Sequence, residues 1–319
     1  MDTNNLLILG NGFDIAHGIP SSYNQFRSYM QCERKSLICQ NKEKSAEEIK
    51  HVIDFFDSVL KNNKGEVDWG DLEQALGNNK VYEQMDRNQN ISRIGHRGFQ
   101  LKGKRDGSTD DKIGKLSLYT GTSIFNVVSR VLRDWITDLK RSDITKIDGF
   151  LSEEKFFDFN NFKKVINFNY TDTAQKYVSN DTKIIQIHVG NKVTYTFGHN
   201  ERAKIDTKWG PDKDLFNVFQ KDTMEIYNNK LKEELPENIE GITTYGFSFS
   251  DPDMPYVEYL IKDKKIDQNT KWTIFIYREE EKKKIIENIK NAFKNNGVFL
   301  EKTNITFKCS NSKSSVENK

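Results

Sequence analysis

The sequence has few cysteines, little net charge and no long apolar run, and each shortage removes a class of protein. Cys32, Cys39 and Cys309 are an odd number without metal-ligand spacing, which argues against a disulfide framework and against a zinc site. Single thiols in a reducing cytoplasm fit this usage. No apolar run approaches the ~20 residues of a membrane span. The N-terminus enters a strand at once, without a basic region or cleavage site, so no signal peptide is read and no membrane partner is expected. Lysine and arginine number 49 against 47 aspartates and glutamates, so no whole-protein field draws the chain to nucleic acid or a membrane, and only local basic stretches remain as binders. No internal repeat is visible. What is present is polar but globular: 319 residues, 35% hydrophobic and 30% charged, enough for one large domain or two with a sizeable core.

The stretch Leu6-Leu7-Ile8-Leu9-Gly10-Asn11-Gly12-Phe13-Asp14-Ile15-Ala16-His17-Gly18-Ile19-Pro20 organises the rest. Its four apolar residues predict a short buried strand. Two glycines one residue apart then let the chain turn sharply and let a ligand approach bare backbone. Asp14 is placed to cap the helix that follows, and a helix N-terminus offers free N–H groups to a phosphate. Gly18-Ile19-Pro20 sets a second bend. A tight strand-to-helix turn without a ligand is the competing reading of the same residues.

Residues 25–155 read as mostly helical, inserted after the first strand. Tyr23, Phe26 and Tyr29 form the apolar side of one helix. Ser45-Ala46-Glu47-Glu48 reads as a capping box ahead of Ile49, Val52, Ile53, Phe56 and Leu60 at helical spacing. Trp69 is large enough to anchor a helix pair, and Glu73 beside it is a minor site candidate. Residues 84–116 are dominated by Gln, Asn, Arg, Lys and Gly, including His96, and form a long polar loop. That loop is either a flexible solvated segment or a basic lid over an anionic ligand. Ser123 then opens a periodic helix whose stripe, Ile124, Val127, Val128, Val131, Leu132, Trp135, Ile136 and Leu139, is core.

Three later stretches carry a strand into polar residues. Lys164–Asp172 ends in Asn169, Tyr170 and Thr171; Ile184–Asn191 ends in His188, Val189 and Gly190; Ile242–Tyr256 runs through Gly246 and Ser248 to Asp251 and Asp253. In open α/β sheets ligands sit beyond the carboxyl ends of strands. His188 is the best base there, because histidine's ordinary pKa of about 6.5 suits proton transfer at neutral pH. A turn amide for Asn169 and a satisfied core residue for His188 are the structural alternatives. His199, after a strand from Lys192 to Phe197, is placed to reach the same end. The helix near Pro252 takes Ser250 or Asp251 as its cap. Ser248 lacks the spacing of a hydrolase nucleophile and is read as a phosphate or ribose hydrogen-bonder. Residues 201–238 are polar and helical, packed through Phe216, Val218 and Phe219. Trp272–Tyr277 is a strand, Glu279–Phe293 an amphipathic helix with Ile285, Ile286, Ile289 and Phe293 inward, and Val298–Phe307 a last strand. The whole reads as an α/β doubly wound fold. Residues 1–24 and 156–308 form a discontinuous nucleotide-binding domain, 25–155 the helical insertion, and 309–319 a disordered tail.

The string from Gly10-Asn11-Gly12-Phe13-Asp14 through His17-Gly18-Ile19-Pro20-Ser21-Ser22-Tyr23 resembles the opening of the AbiH family of bacteriophage abortive-infection proteins. Trp69-x-x-Leu72-Glu73, Asn167-Phe168-Asn169-Tyr170-Thr171 and the Gly246–Asp253 segment resemble the same family. The spacing Gly-x-Gly-x5-Gly-Ile-Pro is also similar to the NAD-binding opening of sirtuins and other SIR2-like proteins. So are the stretches around Asn169, where Thr171 replaces an aspartate, and around His188, where Val189 precedes the glycine. The matched segments total well under half of the chain. The AbiH resemblance implies an antiphage abortive-infection effector. The SIR2-like resemblance implies a Rossmann-type, mostly parallel sheet that binds NAD and hydrolyses the nicotinamide–ribose bond, an NAD glycohydrolase without a metal. Carried over residue by residue, Asn169 and His188 are catalytic. The nucleotide falls to Gly10, Asn11, Gly12, Phe13, Asp14, His17, Gly18, Tyr170, Gly246, Ser248 and Asp251.

Two further readings stay open. Asp14, His17, His188, His199, Asp251 and Asp253 are the oxygen and nitrogen donors a divalent metal takes, which gives a nuclease or nucleotide phosphohydrolase of a defence system. The other is a non-catalytic nucleotide-binding sensor or partner module. The partners implied are NAD or a related nucleotide, a phage trigger, and a second copy or another defence protein.

Overall fold

The computed structural model describes residues 4–61, 65–78, 121–141, 157–189, 195–204, 216–264, 266–298 and 304–310. The expected loop at 84–116, residues 311–319 of the expected tail, and Gly190 and Asn191 lie outside them. The chain divides into two compact units, one of Met1–Ser22, Ile136–Thr196 and Asp222–Lys319, the other of Tyr23–Trp135 and Phe197–Lys221.

Eight strands are described: β1 (Asn5–Leu9), β2 (Lys164–Asn167), β3 (Lys183–Gln186), β4 (His199–Asn200), β5 (Gln220–Lys221), β6 (Gly241–Tyr245), β7 (Lys271–Ile276) and β8 (Ile305–Cys309). Six of them make the sheet of the first unit, in the order β3-β2-β1-β6-β7-β8. All five pairings are parallel. Counted within the sheet, the order is 3-2-1-4-5-6, that of the doubly wound dinucleotide-binding folds. The direction of winding reverses between β1 and β6. The C-terminal row of the ladder is Gln186, Asn167, Leu9, Tyr245 and Phe275.

Side chains alternate across each strand, so both faces of the apolar β1 are buried. Leu6 and Ile8 join Ile166, Ile242 and Ile274 on one face. There they meet Tyr227 of helix α6 (Thr223–Lys230), Tyr256 and Leu260 of α7 (Met254–Asp263), and Ile285, Ile289 and Phe293 of α8 (Glu281–Asn295). Leu7 and Leu9 join Val165, Tyr245 and Phe275 on the other face, against Phe13 of α1 (Asn11–Ala16) and against Phe157, Phe159, Phe162, Ala174 and Tyr177. The fold is a Rossmann-like α/β sheet with helices on both sides.

The second unit holds α2 (Tyr23–Cys39), α3 (Glu43–Val59), α4 (Leu72–Leu76), α5 (Gly121–Arg141) through Trp135, and the short β4–β5 ladder. Trp69 anchors it: the ring is fully buried against Phe26 and Phe56, and its indole N–H donates to Asp57 at 2.8 Å. Asp57 also takes a two-pronged bond from Arg27 at 2.7 and 2.6 Å. The unit takes in Phe197–Lys221 besides the predicted helical segment.

Several local expectations need correction. Helix α3 begins at Glu43 after Lys42, so Ser45 lies inside its first turn and caps nothing. Helix α1 begins at Asn11 with Gly10 as its N-cap, so Asp14 is an interior residue of a six-residue helix. Helix α7 begins at Met254 with Asp253 at its N-cap and Pro255 in its first turn. Ser250 instead supplies a backbone carbonyl to the N–H groups of Asp253 and Met254. Cys309 ends a strand and does not begin the tail. Among the described residues no helix is long and apolar enough to cross a membrane.

Candidate functional site

The reversal point between β1 and β6 is closed by backbone. Gly10 N–H donates to Tyr245 O at 3.0 Å and Gly12 N–H to Gly246 O at 3.0 Å, while Phe13 N–H returns to Gly10 O. A Cβ on Gly10 would lie 2.4 Å from Gly246 O, one on Gly12 2.6 Å from Gly246 Cα, and one on Gly246 2.5 Å from Gly12 Cα. Gly246 also has φ +62°, which side chains rarely adopt. The three glycines thus let the first turn seat against the end of β6, and the N–H groups of Gly10 and Gly12 are engaged there.

Under this turn Asp14 is 1% exposed. Both its carboxyl oxygens lie near Thr171 Oγ1, at 2.8 and 2.7 Å, and Thr171 Oγ1 is 2.8 Å from Thr173 Oγ1. Burial pushes its carboxyl up to about 6; the threonine hydroxyls pull the other way and nearby Asp172 adds to the rise. His17 is fully buried against Phe13 and Tyr177. Its Nδ1 lies 2.6 Å from Phe13 O, a carbonyl that can only accept, so Nδ1 carries the proton and Nε2 accepts from the Tyr177 hydroxyl at 2.7 Å. Burial holds its pKa below the ordinary histidine value. Phe13 and His17 are therefore core residues of the β1–α1 junction. Asn11 is exposed and accepts from Ser21 Oγ at 2.5 Å. Gly18, exposed at φ +76°, makes the bend before Ile19.

The polar side chains gather one and two strands away, at the ends of β2 and β3. Asn167 and Gln186 are register partners, and Asn169 and His188 each follow two residues later. Both are 3% exposed. Neither ring nitrogen of His188 has a hydrogen-bond partner among the described residues, and neither does Asn169 Oδ1 or Gln186 Oε1. The His188 ring packs edge-on against Phe168 and Tyr170, at centroid distances of 5.7 and 5.5 Å, with Nε2 3.6 Å from Asp253 Oδ1. Tyr170 donates its hydroxyl to Thr196 O at 3.1 Å. Lys230, at the end of α6, donates to the carbonyls of Gln186, Ile187 and Val189 at 2.8, 2.7 and 2.7 Å. All three ammonium protons therefore hold the chain on either side of His188, and burial lowers the lysine pKa.

The β6–α7 connection carries the remaining candidates. Ser248 is exposed and donates to Ser250 Oγ at 3.0 Å; Asp251 is exposed. Between them Phe249 is fully buried at φ +51°, a strained backbone for a bulky residue, with its carbonyl held by Asn288 Nδ2 at 2.8 Å.

The structure thus brings Asn169, Tyr170 and His188 together, adds Asp253, and ties Asp14 to them through Thr171. It places Ser248 and Asp251 on the neighbouring connection. His199 belongs to the second unit, with Nδ1 2.8 Å from Asn200 O, Nε2 2.9 Å from Phe216 O, and burial lowering its pKa. Glu73 is also there, accepting from Gly198 N–H at 2.8 Å and facing Lys221 Nζ at 3.4 Å. The metal-ligand convergence set out above is not formed: among the described residues no three histidine, cysteine, aspartate or glutamate side chains gather. Asn167, Gln186 and Lys230 were not singled out from the sequence. The spacing Asn-x-Asn at a strand end was the available signal for Asn167, since period two puts both on one side. Nothing in the sequence pointed to Lys230.

In Rossmann-like sheets small-molecule and nucleotide sites lie at the carboxyl ends of the strands, where the unpaired buried polar atoms of Asn169, Gln186 and His188 gather. The family described as bacteriophage abortive infection AbiH matches residues 6–276, and the chain belongs to it. Its role is therefore in bacteriophage abortive infection. No curated protein and no solved structure matches the chain.

Proposed function

We propose that the protein acts in abortive infection by binding NAD at the carboxyl ends of β1, β2, β3 and β6 and hydrolysing its nicotinamide–ribose bond. The observation that carries this reading is the pair Asn169 and His188. Buried polar groups are almost always hydrogen-bonded, and those that are not call for a ligand or a mechanism. Here both side chains that the SIR2-like resemblance marks as catalytic are nearly inaccessible and keep unpaired atoms, in company with Gln186 Oε1 and Thr244 Oγ1 among the described residues of the sheet.

Hydrolysis breaks the bond between ribose C1′ and the pyridinium nitrogen; the bonding pair leaves with nicotinamide, water adds to C1′, and one proton is released. His188 is the acceptor for that proton, because neither of its ring nitrogens is hydrogen-bonded among the described residues and its ring is held by packing on Phe168 and Tyr170 beside the Asp253 carboxylate. Asn169 orients the water or a ribose hydroxyl. With the N–H groups of Gly10 and Gly12 bonded to β6, contact with the phosphates falls to exposed Ser248 and Asn11. The test incubates purified protein with NAD, with and without EDTA, and resolves the products by chromatography. Metal-independent release of nicotinamide supports the reading. Intact NAD with retained binding converts the protein to a sensor, and intact NAD without binding rejects the reading.

A further inference from the structure

The amide orientations at the ends of β2 and β3 follow from backbone groups whose roles cannot be exchanged. The Asn169 N–H can only donate, so the Asn167 atom 3.0 Å from it is Oδ1. The Thr171 carbonyl can only accept, so Asn167 Nδ2 faces it at 3.3 Å, beside Gln186 Nε2 at 3.2 Å. Asn167 Oδ1 also lies 2.8 Å from the side-chain amide of Asn169, which must present its Nδ2 there. The atom of Asn169 left over is Oδ1, buried and without a partner. Turning Asn169 over would set oxygen against oxygen. Turning Asn167 over to relieve that would set its NH2 against the Asn169 N–H and its oxygen against the Thr171 carbonyl.

We propose that Asn167 is a positioning residue that locks Asn169 with its side-chain oxygen free, so that this oxygen meets the ligand as a hydrogen-bond acceptor. Its partner must then be an O–H or N–H group, such as a hydroxyl or the attacking water. Gln186 has the same polarity, its NH2 turned to Thr171 O and its Oε1 left over. The inference rests on the reading of Asn169 as a ligand-facing residue.

Two readouts test it. Side-chain amide NMR reports the lock without any ligand: the Asn169 NH2 protons exchange slowly in the wild type and rapidly in Asn167→Ala. NAD turnover reports its consequence: in Asn167→Ala kcat falls at least roughly tenfold with KM nearly unchanged, the signature of a misplaced catalytic group. Asn167→Asp keeps the acceptor for both Asn169 bonds and restores slow exchange, while its second oxygen, set against the Thr171 carbonyl, leaves kcat only part of the way back from the Asn167→Ala value. A merely structural Asn167 would make Asp as damaging as Ala, because both lose the amide on Thr171 O. Rapid exchange in the wild type, slow exchange in Asn167→Ala, or equal damage from both variants overturns the lock. If the wild type consumes no NAD, the hydrolase reading fails by itself, and the exchange data alone decide the lock.

Discussion

Asp14 shows how one buried carboxyl sets a pH dependence. Its partners are threonine hydroxyls, not a cation, and its carboxyl sits at about 6 because burial disfavours the charged form. In the unfolded chain the same group titrates near 3.8. Between those values the native state holds a proton that the unfolded state has lost. The contribution of Asp14 to stability is therefore full below pH 4, falls as pH rises toward 6, and is lower by roughly 3 kcal/mol at neutral pH. Asp14→Asn keeps an acceptor for Thr171 and removes the titration. Its stability relative to the wild type should rise between pH 4 and 7 and then level off, as read by denaturant melts across that range. Parallel curves would show that Asp14 does not carry the shift. His188 and Asn169 carry a different expectation. His188→Ala and Asn169→Ala should each abolish NAD turnover in a folded protein, and the double variant should be little worse than either, because groups that act as a unit are not additive. Additive losses in single-turnover kinetics would separate their roles.

At the level of the elements, the close approach of the first turn to β6 is tested by a matched pair of glycine changes. Gly297 has φ +75° with nothing within 4 Å of an added Cβ, so Gly297→Ala should cost only the left-handed strain, roughly 1–2 kcal/mol. Gly246→Ala adds a Cβ 2.5 Å from the Gly12 backbone and should cost clearly more, measured by urea melts of the two variants. Equal costs would mean that the turn yields. Lys230→Met should free three carbonyls around His188, speed amide exchange at Ile187 to Val189, and lower NAD turnover while the rest of the sheet stays protected. Unchanged exchange there would remove Lys230 from the account. The main strands were legible because Leu6–Leu9, Val165–Ile166 and Ile274–Ile276 are apolar runs that only a sheet covered on both faces buries. The caps were not: Ser45 and Asp14 have the right chemistry for a cap, but the helices start two and three residues ahead of them. His188 and Asn169 were legible as polar residues ending apolar strands. The bonds that orient them were not: Asn-x-Asn sets Asn167 beside Asn169 but does not show the bond between them, and Lys230 reaches main-chain carbonyls, which leave no residue pattern.

Over the whole molecule, the sheet order 3-2-1-4-5-6 gives a Rossmann-like fold, and the family match gives its use in abortive infection. The second unit contributes its own buried pair, Glu73 and Lys221, and, among the described residues, one buried unpaired atom, Arg34 Nε, whereas the unpaired atoms of Asn169, Gln186 and His188 gather at the strand ends of the first. The central claim is thus a reaction confined to that sheet's carboxyl end, and one measurement addresses it most directly. Wild-type protein and His188→Ala are each incubated with NAD in EDTA, and nicotinamide is quantified by chromatography over time. The account predicts steady nicotinamide release by the wild type and none by the variant, with both proteins equally folded. NAD that stays intact with the wild type, or release that survives the loss of His188, would contradict it.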